Sequence, residues 1–291
     1  MARFPHMSSD KPIWLLTNSR SGSNSEKAIE LLERHCREKG FSIEKTIAFP
    51  DEDLPDAAGL DEAGIGRLAI FTGDGSLNAA ITNLAGWGGE IIVLPGGTMN
   101  LLSKRLHGPQ ADLETIIGRV AQGAVRAVRP LMARCEKGDA LAGLLAGPGT
   151  SWVSVREAMR DFDLPGIAEG TSEALAETTG GAMVRCCGPQ LGREEGYPLI
   201  EFTPSHRGIQ LDAFHAEGAG EVLQQSLALL KRNFREGPHT RLGLVDEVTL
   251  ETCDGSPLEV LIDGEPATLP ARAKFTVVPC EVDLLATHHG F

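Results

Sequence analysis

The sequence predicts an α/β domain built on a mostly parallel sheet, followed by a strand-rich second domain. Up to about residue 125, short apolar runs alternate with stretches of helical periodicity, the pattern of parallel strands joined by crossover helices. Beyond that point short apolar runs follow one another through turn-like links, with little helical periodicity between them. In addition, three glycine-bearing turns fall within the first hundred residues, each directly after a strand-like run. In open α/β sheets ligands bind outside the carboxyl ends of the strands, which is where these turns lie.

Ile13-Trp-Leu-Leu16 is the first apolar run and stops at Asn18. From Glu26 to Lys39 apolar residues recur at Ile29, Leu32 and Cys36, and Gly40 ends this helix. Ser23, Asn24 or Ser25 is its cap. Phe41, Ile43 and Ile47 mark a second strand, and the polar connection from Pro50 to Gly66 has room for one short helix. Leu68 to Phe71 and Glu90 to Leu94 read as strands, while Ser76 to Leu84, Thr98 to Leu106 and Asp112 to Ala121 read as helices. Strand-like runs then occupy Val125 to Cys135, Leu141 to Ala146, Gly181 to Cys187, Leu199 to Thr203, Gly208 to Phe214, Arg241 to Thr252, Leu258 to Ile262, Lys274 to Val278 and Val282 to Ala286. Helical stretches are expected at Ser154 to Asp161 and Glu221 to Asn233. The boundary falls at Arg129-Pro130, giving domains 1–129 and 130–291, with the last residues free to pack back on the first.

In the turn Gly73-Asp-Gly-Ser76, Gly73 and Gly75 accept backbone angles closed to other residues and allow a ligand to approach closely. Amides at the start of the next helix can then meet phosphate oxygens. Asp74 repels phosphate, so its expected partners are magnesium, a ribose hydroxyl or nearby loop amides. Asn78, one turn on, is placed to hold the loop. An ordinary strand-to-helix turn capped by Ser76 is the competing reading. Pro95-Gly96-Gly97-Thr98 repeats the device, with Thr98 as cap and Asn100 presenting an amide. Asn18-Ser-Arg-Ser-Gly22 offers small residues, polar side chains and Arg20. Far downstream, Asp263-Gly-Glu265 is either a hairpin turn or, folded against the first domain, a pair of carboxylates for metal, ribose or a nucleotide loop.

A net charge of -13 over 291 residues argues against a general nucleic-acid binder, since phosphate backbones attract basic surfaces. It leaves room for a local patch from Arg20, Lys104 and Arg105 beside the turns. The six cysteines lack paired CxxC spacing and read as buried or semi-buried thiols of a reducing compartment. The histidines show no zinc spacing. Met1 to Lys11 carries no basic segment leading into an apolar core, and no apolar stretch is of bilayer length. The expectation is a cytoplasmic protein, with peripheral contact at the inner membrane surface and a homodimer left open.

Together these segments resemble the diacylglycerol kinase and sphingosine kinase superfamily, including its bacterial lipid kinases. The family's Asn-Pro-x-Ser-Gly looks like Asn18-Ser-Arg-Ser-Gly22, with Ser19 in place of proline. Its Gly-Gly-Asp-Gly-Thr is similar to Thr72-Gly-Asp-Gly-Ser76, its Pro-x-Gly-Thr-x-Asn to Pro95-Gly-Gly-Thr-Met-Asn100, and its late Asp-Gly-Glu to Asp263-Gly-Glu265. The related NAD kinases share Gly-Gly-Asp-Gly, but the Pro-Gly-Gly-Thr-Met-Asn segment fits the lipid kinase pattern better. The resemblance implies an ATP-binding α/β domain, a β-sandwich-like second domain, and magnesium-dependent transfer of the ATP γ-phosphoryl group to a lipid hydroxyl. By this match Asn18, Arg20, Gly22, Gly73, Asp74, Gly75, Ser76, Asn78, Gly96, Gly97, Thr98, Asn100, Asp263 and Glu265 surround the nucleotide, with Asp74 and Asp263 next to the metal. Where the family carries Gly-x-Gly-Phe-Asp, whose aspartate is the expected base, this chain has Ala146-Gly-Pro-Gly-Thr-Ser-Trp152. Thr150 and Ser151 are poor bases, and Glu157 or Asp161 is the substitute the sequence offers. Leu101 also stands where the family usually has aspartate. These departures keep two alternatives open: a nucleotide-binding regulator without phosphotransfer, and a kinase for a soluble alcohol or NAD.

Overall fold

A computed structural model describes residues 12–18, 20–21, 24–147, 183–214 and 239–288. The expected helices at 154–161 and 221–233 lie outside these residues. The chain divides into two compact units, residues 12–130 with 280–288 and residues 131–279.

The first unit is a six-stranded sheet with helices around it. Its elements are β1 (Pro12–Asn18), α1 (Glu26–Glu38), β2 (Ser42–Phe49), α2 (Ala57–Glu62), β3 (Arg67–Thr72), α3 (Asp74–Asn83), β4 (Glu90–Pro95), α4 (Leu101–His107), α5 (Leu113–Ala121) and β5 (Arg126–Val128). The strand order is β2-β1-β3-β4-β18-β5, where β18 (Asp283–Ala286) comes from the end of the chain. β18 runs parallel to β4, and β5 runs antiparallel to β18. Every residue of β3 is buried, and so are the four inner residues of β4. Strands covered on both faces read as continuous apolar runs for this reason. On one face Leu32 and Cys36 of α1 and Ile116, Ile117 and Val120 of α5 pack against Ile13, Leu15, Ala69, Phe71, Ile92 and Leu94. Residues alternate along a strand, so Leu16, Ile70 and Val93 face the opposite side.

The cap of α1 is Ser25, whose Oγ accepts from the Ala28 N–H at 3.3 Å. Two helices begin away from their expected starts. α3 starts at Asp74 with Gly73 as cap, so Ser76 sits inside the first turn and leaves its hydroxyl for other partners. α4 starts at Leu101, because Asn100 takes left-handed angles (φ 52°, ψ 44°) that interrupt the helix expected from Thr98.

The second unit holds two six-stranded antiparallel sheets. One has the order β10-β9-β14-β17-β6-β7, from β6 (Leu131–Cys135), β7 (Gly138–Ala140), β9 (Val184–Gly188), β10 (Gln190–Leu191), β14 (Glu247–Thr252) and β17 (Arg272–Pro279). The other has the order β13-β12-β11-β8-β15-β16, from β8 (Leu144–Ala146), β11 (Leu199–Ser205), β12 (Gly208–Phe214), β13 (His239–Val245), β15 (Leu258–Ile262) and β16 (Glu265–Leu269). Val184, Val248, Leu250 and Phe275 of the first sheet pack against Phe202, Leu211, Leu258 and Val260 of the second in one core. The Phe202 and Phe275 rings lie 4.7 Å apart between centroids. This is the β-sandwich-like arrangement the resemblance implied.

Two runs expected as single strands are each divided between sheets. Val125 to Cys135 breaks at Arg129-Pro130 into β5 and β6, because proline has no amide hydrogen for a ladder. Arg241 to Thr252 breaks at Asp246 into β13 and β14. Apolar periodicity marks both halves of such a run and does not report the change of sheet.

Candidate functional site

The three turns converge at the carboxyl ends of β1, β3 and β4. The chain goes from β1 outward to β2 and then crosses to β3 on the other side of β1, so the strand order reverses between β1 and β3. A crevice forms at such a reversal. Side chains from the first turn bridge to the other two. Asn18 Nδ2 donates to Ser76 Oγ at 2.8 Å, and its Oδ1 accepts from the Arg20 N–H at 2.8 Å. Ser21 Oγ accepts from the Gly73 N–H at 3.1 Å, which leaves its own proton for a further acceptor. Asn24 Nδ2 donates to Gly96 O at 2.7 Å, while its buried Oδ1 has no hydrogen-bond partner among the described residues.

The second and third turns touch directly. A Cβ on Gly97 would lie 2.5 Å from Gly73 Cα, and one on Gly96 would lie 2.5 Å from the backbone of Phe71 and Thr72. Glycine is required at these positions by backbone contact, since both glycines have ordinary angles. Asn100 closes the third turn on itself: Oδ1 accepts from the Gly97 N–H and Nδ2 donates to Gly97 O, each at 2.7 Å. Asparagine tolerates the left-handed angles this closure needs.

Asp74 joins the second turn to the third. Its carboxylate accepts from the Leu101 N–H at 3.0 Å and the Leu102 N–H at 3.3 Å, so it serves as the anionic cap that α4 lacks from its own cap residue. Of the three roles open to Asp74 on sequence, the loop amides are the partners found. Burial raises its pKa above the usual carboxylate value, while the Leu101 and Leu102 amides, the Lys104 ammonium and the Asn100 amide pull it back down. Asn78, one turn into α3, accepts from Thr82 Oγ1 at 3.3 Å.

Among the described residues, no hydrogen bond ends on the N–H groups of Asp74, Gly75 or Ser76, and the first bond of α3 is the one from Leu77 N–H to Gly73 O at 3.0 Å. These open amides at a helix start suit a phosphate. The buried acceptor of Asn24 offers a donor-bearing group a place in the same cluster. The arrangement therefore fits a nucleotide polyphosphate. No group of three or more His, Cys, Asp or Glu able to hold a metal occurs among the described residues. Asp74 is the carboxylate beside the turns that would hold a magnesium ion carried by nucleotide phosphates.

Asp263 and Glu265 lie on the second unit, at the β15–β16 hairpin. Asp263 (φ 50°) and Gly264 (φ 90°) form a two-residue turn with Ile262 paired to Glu265. The Asp263 carboxylate accepts from the N–H groups of Leu141, Ala142 and Gly143 at 2.8–2.9 Å, so it holds the loop that enters β8. The segment is a hairpin whose aspartate bonds backbone amides of its own unit. Gly22, Glu157 and Asp161 lie outside the described residues. Ser21 and Asn24 are the members of the cluster that sequence reasoning did not assign. The signal was present in the small polar residues of the first turn, but nothing in their spacing distinguishes a bridge to another loop from a helix cap.

Residues 12–133 match the diacylglycerol kinase catalytic domain family. The fold is similar to the crystal structure of a diacylglycerol kinase from Bacillus anthracis str. Sterne, with 15% identity, a TM-score of 0.58, and coverage of 95% of this chain and 97% of that one. Two further structures from that strain, whose own kinase assignment is provisional, are similar at 13% and 16% identity with TM-scores of 0.60 and 0.55. They are covered over 99% and 96% of their lengths, by 97% and 94% of this chain. No curated protein matches this chain.

Proposed function

We propose that this protein transfers the γ-phosphoryl group of ATP to a hydroxyl of a lipid such as diacylglycerol, a reading supported by the match of residues 12–133 to the diacylglycerol kinase catalytic domain family. The observation that carries this reading is the contact of Gly97 with Gly73, which brings two glycine turns and the open amides of α3 to one place. Phosphoryl transfer asks chiefly for positioned charge and an in-line hydroxyl, and a site built mostly from backbone meets that need. The acceptor oxygen attacks the γ-phosphorus, the bond to the β,γ-bridging oxygen breaks, and ADP leaves with that electron pair. The amides of Gly75 and Ser76 hold phosphate oxygens in place, and Ser21 Oγ adds a donor from the first turn. Magnesium, when bound beside Asp74, supplies charge neutralisation at the β- and γ-phosphates. For the acceptor proton the sequence offers Glu157 and Asp161, and separate Glu157→Gln and Asp161→Asn variants decide between them.

The test is transfer of label from γ-labelled ATP to a panel of lipid alcohols that includes diacylglycerol, with Asp74→Ala as control. Labelled lipid from the wild type and its loss in the variant support the assignment. Thermal stabilisation by ATP with no labelled product in any lipid favours the second reading, a nucleotide-binding regulator, which Thr150-Ser151 in place of the family's Phe-Asp recommends. Label on a water-soluble alcohol or on NAD moves the acceptor out of the lipid class.

A further inference from the structure

We propose that the side-chain oxygen of Asn24 accepts a hydrogen bond from the nucleoside half of the nucleotide, a role that rests on the ATP-binding reading above and names one of its contacts. Direct contacts place Asn24 at the junction of the first and third turns. Its N–H donates to Ser21 O at 3.0 Å, which closes the first turn, and its Nδ2 donates to Gly96 O at 2.7 Å. A Cβ on Gly96 would lie 2.8 Å from that Nδ2, so the amide packs against the third turn where glycine leaves room for it. Because Gly96 O can only accept, the amide nitrogen is the atom turned to it and the oxygen points away from it. Asn24 is 6% exposed, and this oxygen is buried with no hydrogen-bond partner among the described residues.

A buried acceptor left unpaired costs stability, and a residue that served only to clamp Gly96 would gain nothing from one. Polarity decides which part of a ligand it suits. The groups of the neighbouring turns that await a partner are donors: the N–H groups of Asp74, Gly75 and Ser76, and the hydroxyl of Ser21, whose oxygen already accepts from the Gly73 N–H. These suit phosphate oxygens. The Asn24 oxygen is of the opposite kind, since it repels phosphate and pairs only with a donor. An ionised triphosphate has none, whereas the nucleoside carries sugar hydroxyls and a base amino group. The distances fit one ligand spanning both kinds of group: Asn24 is held on Gly96, the adjacent Gly97 meets Gly73, and Gly73 opens α3. The oxygen is covered before a ligand arrives, so it is paired through a local shift of the first turn as the nucleotide enters.

The test is a coupling cycle on the full chain, read by calorimetry at fixed salt and magnesium. Wild type and Asn24→Ala are each titrated with ATP, its 2′-deoxy and 3′-deoxy analogues, its analogue without the base amino group, and inorganic triphosphate. In the wild type, loss of the one donor that meets Asn24 should weaken binding about 10-fold relative to ATP, and in the variant the same analogue should bind within about 2-fold of ATP. A role confined to holding Gly96 lowers every ligand by one factor, inorganic triphosphate included, and leaves the discrimination intact. The analogue that loses its coupling tells a sugar hydroxyl from the base amino group. The carbonyl carbon signal of the Asn24 side chain reads the same bond in the wild type with no substitution, and it should move with ATP and stay in place with inorganic triphosphate. Coupling to none of the analogues, or a carbonyl signal that ATP leaves in place or that triphosphate moves equally, overturns the role of Asn24 alone. A wild type that binds neither ATP nor any analogue overturns this role together with the ATP-binding reading.

Discussion

At the level of single residues, the candidate site is held by contacts with no slack. Gly97 is the tightest of them. Alanine there would place Cβ 2.5 Å from Gly73 Cα, a backbone atom that cannot rotate away. Gly97→Ala should cost about 1–3 kcal/mol in urea unfolding and abolish ATP binding; unchanged affinity would mean that the two turns are not coupled. Asn100 is the second such position, since both ends of its amide bond Gly97 in left-handed backbone. Asn100→Asp keeps the acceptor and removes the donor. It should therefore weaken nucleotide binding more than Asn100→Gly perturbs the backbone, which circular dichroism and calorimetry on the two variants can compare. The cysteines separate by environment in the same way. Burial pushes the Cys36 and Cys186 thiols up to about 12, whereas Cys253 is exposed. A thiol reagent at neutral pH should label Cys253 in the folded protein and reach Cys36 and Cys186 only after denaturation; prompt labelling of Cys36 would contradict the packing of α1.

Among the elements, α4 is fixed at both ends. Asp74 holds its start, and its end is tied to the chain terminus through His107. His107 is 1% exposed. Its Nε2 faces Val93 O at 2.9 Å and must donate, so Nδ1 accepts from the Thr287 hydroxyl at 3.0 Å. Arg119 donates to His107 O at 3.0 Å, and the amides of Thr287 and His288 donate to Leu106 O. Burial, with Arg119 and His288 nearby, lowers the His107 pKa to about 4 against a weaker opposing effect of the Val93 bond. The folded protein thus binds fewer protons than the unfolded chain between pH 6.5 and about 4. The stability from neutral His107 is complete above 6.5 and is lost as the pH falls toward 4. The loss should be about 2–3 kcal/mol between pH 7 and 4.5, and His107→Gln should not show it; parallel pH profiles for the two proteins would contradict the assignment.

These elements were legible in the sequence to different degrees. The parallel strands announced themselves, because β3 and β4 are buried on both faces and carry uninterrupted apolar runs. Helix starts were less legible, since α3 is capped by Gly73 with no side-chain bond and α4 by a left-handed Asn100, and neither cap has a polar signature distinct from its turn. Of the site, Gly73, Asp74, Gly97 and Asn100 stood out through their motifs. The Ser21 and Asn24 bridges span 52 and 72 residues of chain, and no local pattern encodes a partner at that distance.

For the molecule as a whole, the end of the chain belongs to the first unit. β18 lies between β4 and β5, so residues 280–288 complete the sheet that presents the three turns. The run Val282 to Ala286 shows this strand in the sequence without showing which sheet receives it. A chain truncated after Pro279 leaves the β4 and β5 edges that face β18 unpaired and removes Thr287, the partner of His107 Nδ1. It should lose the fold of the first unit, read as loss of helical circular dichroism and of any ATP-induced thermal stabilisation; a truncated chain that still binds ATP would place the proposed site elsewhere. Among the described residues no helix is long and apolar enough to cross a membrane.

If the three turns make a single polyphosphate cradle around the open amides of α3, they must respond to ATP as one unit. Backbone amide NMR of the full chain, titrated with ATP and magnesium, reads that response at each amide. The signals of Asp74, Gly75 and Ser76 should shift together with those of Gly97 and Thr98, along a single saturation curve. Shifts confined to other regions, or two sets of amides saturating at different ATP concentrations, would rule the cradle out.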